Sequence, residues 1–143
     1  MRKLALSKPP ESDRIVGFTI PKAGSFYICA HDEVWCAAIE PNPTVQVTDH
    51  QPYEFIESRT DFLGPVFEGL RENSPLLRVG HNEIALDIDP KKGVATVRYS
   101  VAGRTGQIKF RTPSGDWFAA SFSDDGRYLI LEEPYELAVY AVT

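Results

Sequence analysis

The sequence has only two cysteines, one methionine, three histidines and 15 Lys and Arg against 20 Asp and Glu. Each scarcity excludes something. Cys29 and Cys36 form a lone Cys-x6-Cys pair. That is no zinc site, because a structural site needs four ligands. The net charge of -5 and pI near 5.2 argue against a nucleic-acid binder, since phosphate contacts need clustered cations. They permit a basic protein partner. No apolar run approaches the length of a membrane-spanning helix. The apolar stretch after Met1-Arg-Lys is interrupted by Ser7-Lys-Pro-Pro-Glu-Ser-Asp13, which is not a signal-peptide pattern. A cytoplasmic chain is therefore expected, with residues 1–13 mobile. There is no glycine-rich phosphate loop, no low-complexity tract and no heptad pattern. Ser100, Ser121 and Ser123 lack a Gly-x-Ser-x-Gly context, so a hydrolase is unsupported, and no cofactor is implied.

What is present reads as one domain over residues 1–143, with 43% hydrophobic and 24% charged residues. Short β-rich runs dominate. Ile15–Ile20, Phe26–Ala30, Val34–Ile39 and Val45–Thr48 are separated by proline and glycine turns. Leu76–Val79, Ile84–Asp89, Gly93–Val101, Gln107–Thr112, Trp117–Phe122, Tyr128–Leu131 and Leu137–Val142 follow. Phe62, Leu63, Val66, Phe67 and Leu70 recur with helical spacing, which predicts at most one short helix near 61–72. The expected fold is all-β, with antiparallel meanders forming a sandwich or a partial propeller-like array. Cys29 and Cys36 lie on adjacent strands and face each other if Asp32 and Glu33 form the turn. A cross-strand bridge is then conceivable though strained, and the lack of a secretion signal favours reduced thiols.

Three stretches, at about 17–47, 66–97 and 118–142, read as pseudo-repeats. Aligning Phe18–Cys29 with Ala120–Leu131 matches Gly24 with Gly126, Phe26 with Tyr128 and Ile28 with Ile130. A second alignment joins His31-Asp-Glu-Val34 to His81-Asn-Glu-Ile84. Trp117-Phe-Ala-Ala-Ser-Phe-Ser-Asp-Asp-Gly-Arg-Tyr-Leu-Ile-Leu131, with Glu136–Val142, resembles a WD-repeat-type β-propeller blade, and 17–47 does so more loosely. The Gly-His and Trp-Asp signatures of that repeat are missing. The resemblance implies a partner-binding scaffold more often than an enzyme.

If the repeats are equivalent, one end of the domain gathers His31 and His81 with Asp32, Glu33, Glu83, Glu132, Glu133 and Glu136. Turns are wet by default, and solvation alone accounts for polar tips. The same carboxylates, with Tyr135 as an anchor, would also suit docking to a basic protein. His31 and His81 with a carboxylate would suit a metal, although no HxH or HxxxH spacing supports one. Asp87 and Asp89 share a strand face as a possible acid–base pair. Trp35, Trp117, Tyr128 and Tyr140 offer a possible aromatic cleft, and Arg98–Arg111 a short basic patch. The expected function is a non-enzymatic protein-binding domain, in the manner of a small acidic inhibitor or immunity protein masking a basic partner. The alternatives are a small metal- or ligand-binding β-domain, or an architectural subunit of a larger assembly and hence a homo-oligomer.

Overall fold

The computed structural model describes residues 1–6, 9, 14–64 and 74–143. It is all-β, 52% strand and 5% helix. In chain order the strands are β1 (Arg2–Lys3), β2 (Ile15–Thr19), β3 (Ser25–Ala30), β4 (Val34–Ala38) and β5 (Thr44–Val47). The helix α1 (Pro52–Ser58) follows, then β6 (Phe62–Leu63), β7 (Arg78–Val79), β8 (Asn82–Asp89), β9 (Val94–Val101) and β10 (Arg104–Arg111). The last strands are β11 (Ala119–Phe122), β12 (Tyr128–Glu133) and β13 (Glu136–Ala141). They form three antiparallel sheets among the described residues. Sheet I has the order β5-β4-β3-β2-β6, sheet II β10-β9-β8-β7, and sheet III β1-β13-β12-β11.

Sheet III lies in the middle because its strands are apolar on both faces. One face, with Ile130, Leu137 and Val139, packs on Phe18, Phe26, Ile28 and Trp35 of sheet I. The other, with Ala120, Phe122, Leu129 and Leu131, packs on Val97, Val101 and Phe110 of sheet II. The alternation Leu129, Ile130, Leu131 along β12 thus feeds two cores, as a doubly buried strand must. Each such side chain contributes roughly 1.5–3 kcal/mol by leaving water.

The helix covers the outer face of sheet I. Gln51 caps it by accepting the Glu54 amide hydrogen at 2.7 Å, and Pro52 sits in its first turn. Phe55 and Ile56 pack on Val16, Cys29, Val34 and Phe62. The helix spans Pro52–Ser58, a segment that the apolar spacing at 61–72 did not point to. Phe62 and Leu63 are instead a strand pairing with Thr19 and Phe18, and 65–73 lie outside the described residues.

The glycines matched by the first repeat alignment share a backbone conformation. Gly24 and Gly126 occupy matching hairpin turns with φ 75° and 76°, a conformation that favours glycine. Phe26 and Ile28 on β3 meet Tyr128 and Ile130 on β12 in one core. The second alignment joins unlike places. Val34 opens β4, the third strand from β2 in sheet I, whereas Ile84 lies in β8, the second strand of sheet II.

At the amino end Arg2–Lys3 is a strand on β13 and Leu6 is buried in the core, while residues 7, 8 and 10–13 of the segment expected to be mobile lie outside the described residues. Cys29 pairs with Val34 and Cys36 with Tyr27, so the two thiols do not face each other, and both are free. The turn falls one residue earlier than Asp32-Glu33, with the Ala30 amide donating to the Glu33 carbonyl at 2.9 Å.

Candidate functional site

Hairpin register decides which candidate residues meet. β12 spans six residues, about 20 Å at the usual strand rise, and separates two ends of the domain. At one end the Ile15 amide donates to the Pro134 carbonyl at 2.9 Å, and Ile15 is also the pairing partner of Ala30. The turns bearing His31, Asp32 and Glu33, and Pro134 and Tyr135, therefore share this end. At the other end Asn82 Nδ2 donates to the Gly126 carbonyl at 3.4 Å, and the Asp124 amide donates to the Pro21 carbonyl at 3.0 Å. The turn carrying His81 belongs there. His31 and His81 are thus not brought together, and among the described residues no group of three or more His, Cys, Asp or Glu is arranged to hold a metal.

The acidic candidates divide accordingly. Asp32 and Glu33 are exposed. Glu83 is exposed at the opposite end and pairs with Arg78 at 2.5 Å. Glu132 and Glu133 do not belong to a wet tip: both have 0% exposure. The turn is Pro134-Tyr135, so both glutamates are still within β12 and pair with β13, Glu132 with β11 as well. Glu133 Oε1 accepts the Ser114 amide hydrogen at 3.0 Å, and its other oxygen accepts that of Tyr135. Among the described residues both Glu132 oxygens lack a partner, and burial raises its carboxyl well above the ordinary value. By strand alternation Glu132 turns to the side of Ile130, toward sheet I, where the buried Trp35 Nε1–H is also unpartnered.

Tyr135 is 47% exposed and is held in place by Arg14. The Arg14 guanidinium lies 5.7 Å from its ring centroid and donates to its hydroxyl at 3.2 Å. Arg14 also pairs with the exposed Asp116. Glu136, half-buried, opens β13 beside it. This end therefore carries Asp32, Glu33, Asp116 and Glu136 around a braced, half-exposed tyrosine. Asp116 was missed in the sequence because nothing in its Gly-Asp-Trp context places it beside Tyr135.

The remaining candidates have structural employment. Ser121 Oγ accepts the Leu76 amide hydrogen at 3.0 Å, and Ser123 Oγ donates to Asp125 at 2.7 Å. Asp89 accepts the Lys91 amide hydrogen at 3.1 Å, and Asp87 lies 3.7 Å from Arg98. Trp35, Trp117 and Tyr128 pack in one core and Tyr140 in the other, so they form no common cleft. His50 is exposed, 4.8 Å from the Phe55 ring.

A polar network between sheets I and III had no sequence signal, because its members are 87 residues apart. Arg127 Nη1 lies 2.6 Å from Glu40, and its Nε lies 2.8 Å from Asp125. The Tyr128 hydroxyl donates to Glu40, and this bond, then Arg127, holds that carboxyl below the usual carboxylate range. The network borders a groove of about 750 Å³ that also takes in Arg2, Lys3 and the Pro41–Pro43 turn. Arg127 is already shared by two carboxylates, which leaves the trio with a net negative charge.

No protein-family model matches the chain, and neither a curated protein nor a solved structure does. Among the described residues no helix is long and apolar enough to cross a membrane.

Proposed function

We propose that this chain is a non-enzymatic protein-binding domain that docks its Tyr135 end onto a basic partner and masks it. The observation that carries this reading is the half-exposed Tyr135, braced by Arg14 at the end of the domain that also holds the exposed Asp32 and Glu33. An aromatic ring held in one orientation loses little conformational entropy on binding, and the surrounding carboxylates steer a cationic surface toward it. Glu83, Glu132 and Glu133 have no part in this surface. Ser121, Ser123, Asp87 and Asp89 are occupied by partners within turns and ladders.

Site-specific photo-crosslinking tests the reading. A photoreactive phenylalanine analogue replaces Tyr135 in one sample and Lys22, at the far end, in another. Crosslinking to the same basic protein from Tyr135 and not from Lys22 supports the docking end. Equal crosslinking from both positions, or from Lys22 alone, rejects it.

A further inference from the structure

Sheet II has two long strands flanking β9, and their charges are opposite. β10, Arg104-Thr-Gly-Gln-Ile-Lys-Phe-Arg111, carries three cations and no carboxylate. β8, Asn82-Glu-Ile-Ala-Leu-Asp-Ile-Asp89, carries three carboxylates and no cation. Both strands present a free edge among the described residues. β10 is terminal in the sheet, and β7 covers β8 only at Asn82 and Glu83, with one further bond from the Ile84 amide to Leu77. The chain surface agrees: Gln107, Lys109 and Arg111 are exposed, and Ile88 is 49% exposed, unusual for a large aliphatic residue on a strand.

The charges on these edges are only partly used internally. Lys109 Nζ donates to the neutral Thr96 hydroxyl at 2.9 Å, and neither Lys109 nor Arg111 has a carboxylate partner among the described residues. An edge strand of eight residues is ordinarily a hazard, and lysine on it discourages indiscriminate pairing. Here the opposite edge supplies the complementary sign.

We propose that sheet II joins a second copy of this chain edge to edge, β10 of one molecule against the Leu86–Asp89 portion of β8 of the next. Register makes the fit specific. Lys109 pairs across β9 through Thr96 to Asp87, and Arg111 through Val94 to Asp89. Each trio therefore shares one level and one face of the sheet. β8 and β10 both run antiparallel to β9, so they run parallel to each other. A copy displaced along the hydrogen-bonding direction at the same level brings its Asp87 beside Lys109 and its Asp89 beside Arg111. On the opposite face its Ile88 comes beside Phe110, which covers the exposed aliphatic surface. The two symmetric alternatives oppose like charges: β10 against β10 sets cations on cations, and β8 against β8 sets carboxylates on carboxylates. The contact is consequently head to tail, and it builds a ring or an open chain rather than a closed two-fold dimer.

Sedimentation velocity of the full chain, run over a range of protein concentration and of salt, tests this. The wild type is expected to form species larger than a dimer as concentration rises, and to revert toward monomer in high salt. Two double variants, Lys109→Asp with Arg111→Asp and Asp87→Lys with Asp89→Lys, are each expected to sediment as monomers where the wild type associates. Mixed in equal amounts, they regain complementary edges and are expected to co-assemble, which also shows that both are folded. A wild type that stays monomeric up to millimolar concentration overturns the proposal. So does a discrete dimer, an assembly indifferent to both charge reversals, or a mixture that fails to co-assemble.

Discussion

Glu132 and Glu133 are adjacent on β12, equally buried, and handled in opposite ways. Glu133 accepts the amide hydrogens of Ser114 and Tyr135, while neither oxygen of Glu132 has a partner among the described residues. A buried polar group with partners costs little, whereas one without bears its full desolvation penalty.

The folded state therefore prefers Glu132 protonated. Below its ordinary pKa of 4.5 the group is neutral in both states and costs nothing extra. As pH rises above that value the unfolded chain releases the proton and the folded one does not. Stability then falls by about 1.4 kcal/mol per pH unit from this group until its raised folded pKa is reached. Glu132→Gln removes that slope. Urea unfolding from pH 4 to pH 8 is expected to show the variant gaining on the wild type as pH rises. Parallel curves would mean that Glu132 finds a partner.

Arg59 ties the end of α1 to sheet I. Its guanidinium meets the buried Asp61 with two bonds of 2.9 Å and lies 5.2 Å from the Tyr27 and 5.3 Å from the Phe55 ring centroids. Arg59→Ala strands the Asp61 carboxylate and is expected to cost about 1.5–3 kcal/mol in urea unfolding. Arg59→Lys keeps the charge and loses the fork, so it recovers only part of that loss. Full recovery by lysine would show that geometry is unimportant there.

Much of this fold was legible in the sequence. Strand runs bounded by Pro and Gly located most strands of the three sheets, and Gly24 and Gly126 both fall in turns with a positive φ. The candidate site was legible only in part. Asp32, Glu33 and Tyr135 were placed on hairpin tips, and all three are exposed. Glu132 and Glu133 were misread because carboxylates beside a Pro-Tyr turn look like a wet tip. Their place in the alternation after Leu129-Ile-Leu131 carried the opposite message. The helix at Pro52–Ser58 was not read because seven residues give too little periodicity to register, although Gln51, Pro52 and Glu54 spell its start. Asp116 and the Glu40–Arg127 network depend on sheet stacking, which no local pattern encodes.

Cysteine reactivity follows from the register of the first sheet. Cys29 is fully buried, and burial pushes its thiol far above the ordinary range. Cys36 is half-buried and two residues out of register with it. A thiol reagent under native conditions is expected to label Cys36 alone, with Cys29 labelled only on unfolding. Native Cys36→Ser protein is expected to stay unlabelled. Rapid labelling of both, or loss of both together on air oxidation, would contradict this arrangement.

Ala23 has φ 51° in the two-residue turn between β2 and β3, where Lys22 and Ser25 exchange backbone bonds of 2.9 and 3.1 Å. A left-handed alanine is strained, and asparagine tolerates this geometry better. Ala23→Asn is expected to stabilise the domain by about 0.5–1 kcal/mol, read as a higher urea midpoint at unchanged slope. A lower midpoint would mean that the turn is not of this type in solution.

The central claim concerns the Tyr135 end, and charge reversal there tests it most directly. Tagged wild type and the Asp32→Lys, Glu33→Lys variant are passed over lysate of the native host, and the captured proteins are compared across a salt series. The account predicts a basic protein held stoichiometrically by the wild type, released by high salt and lost with the variant. Capture that is identical for both, or insensitive to salt, contradicts it.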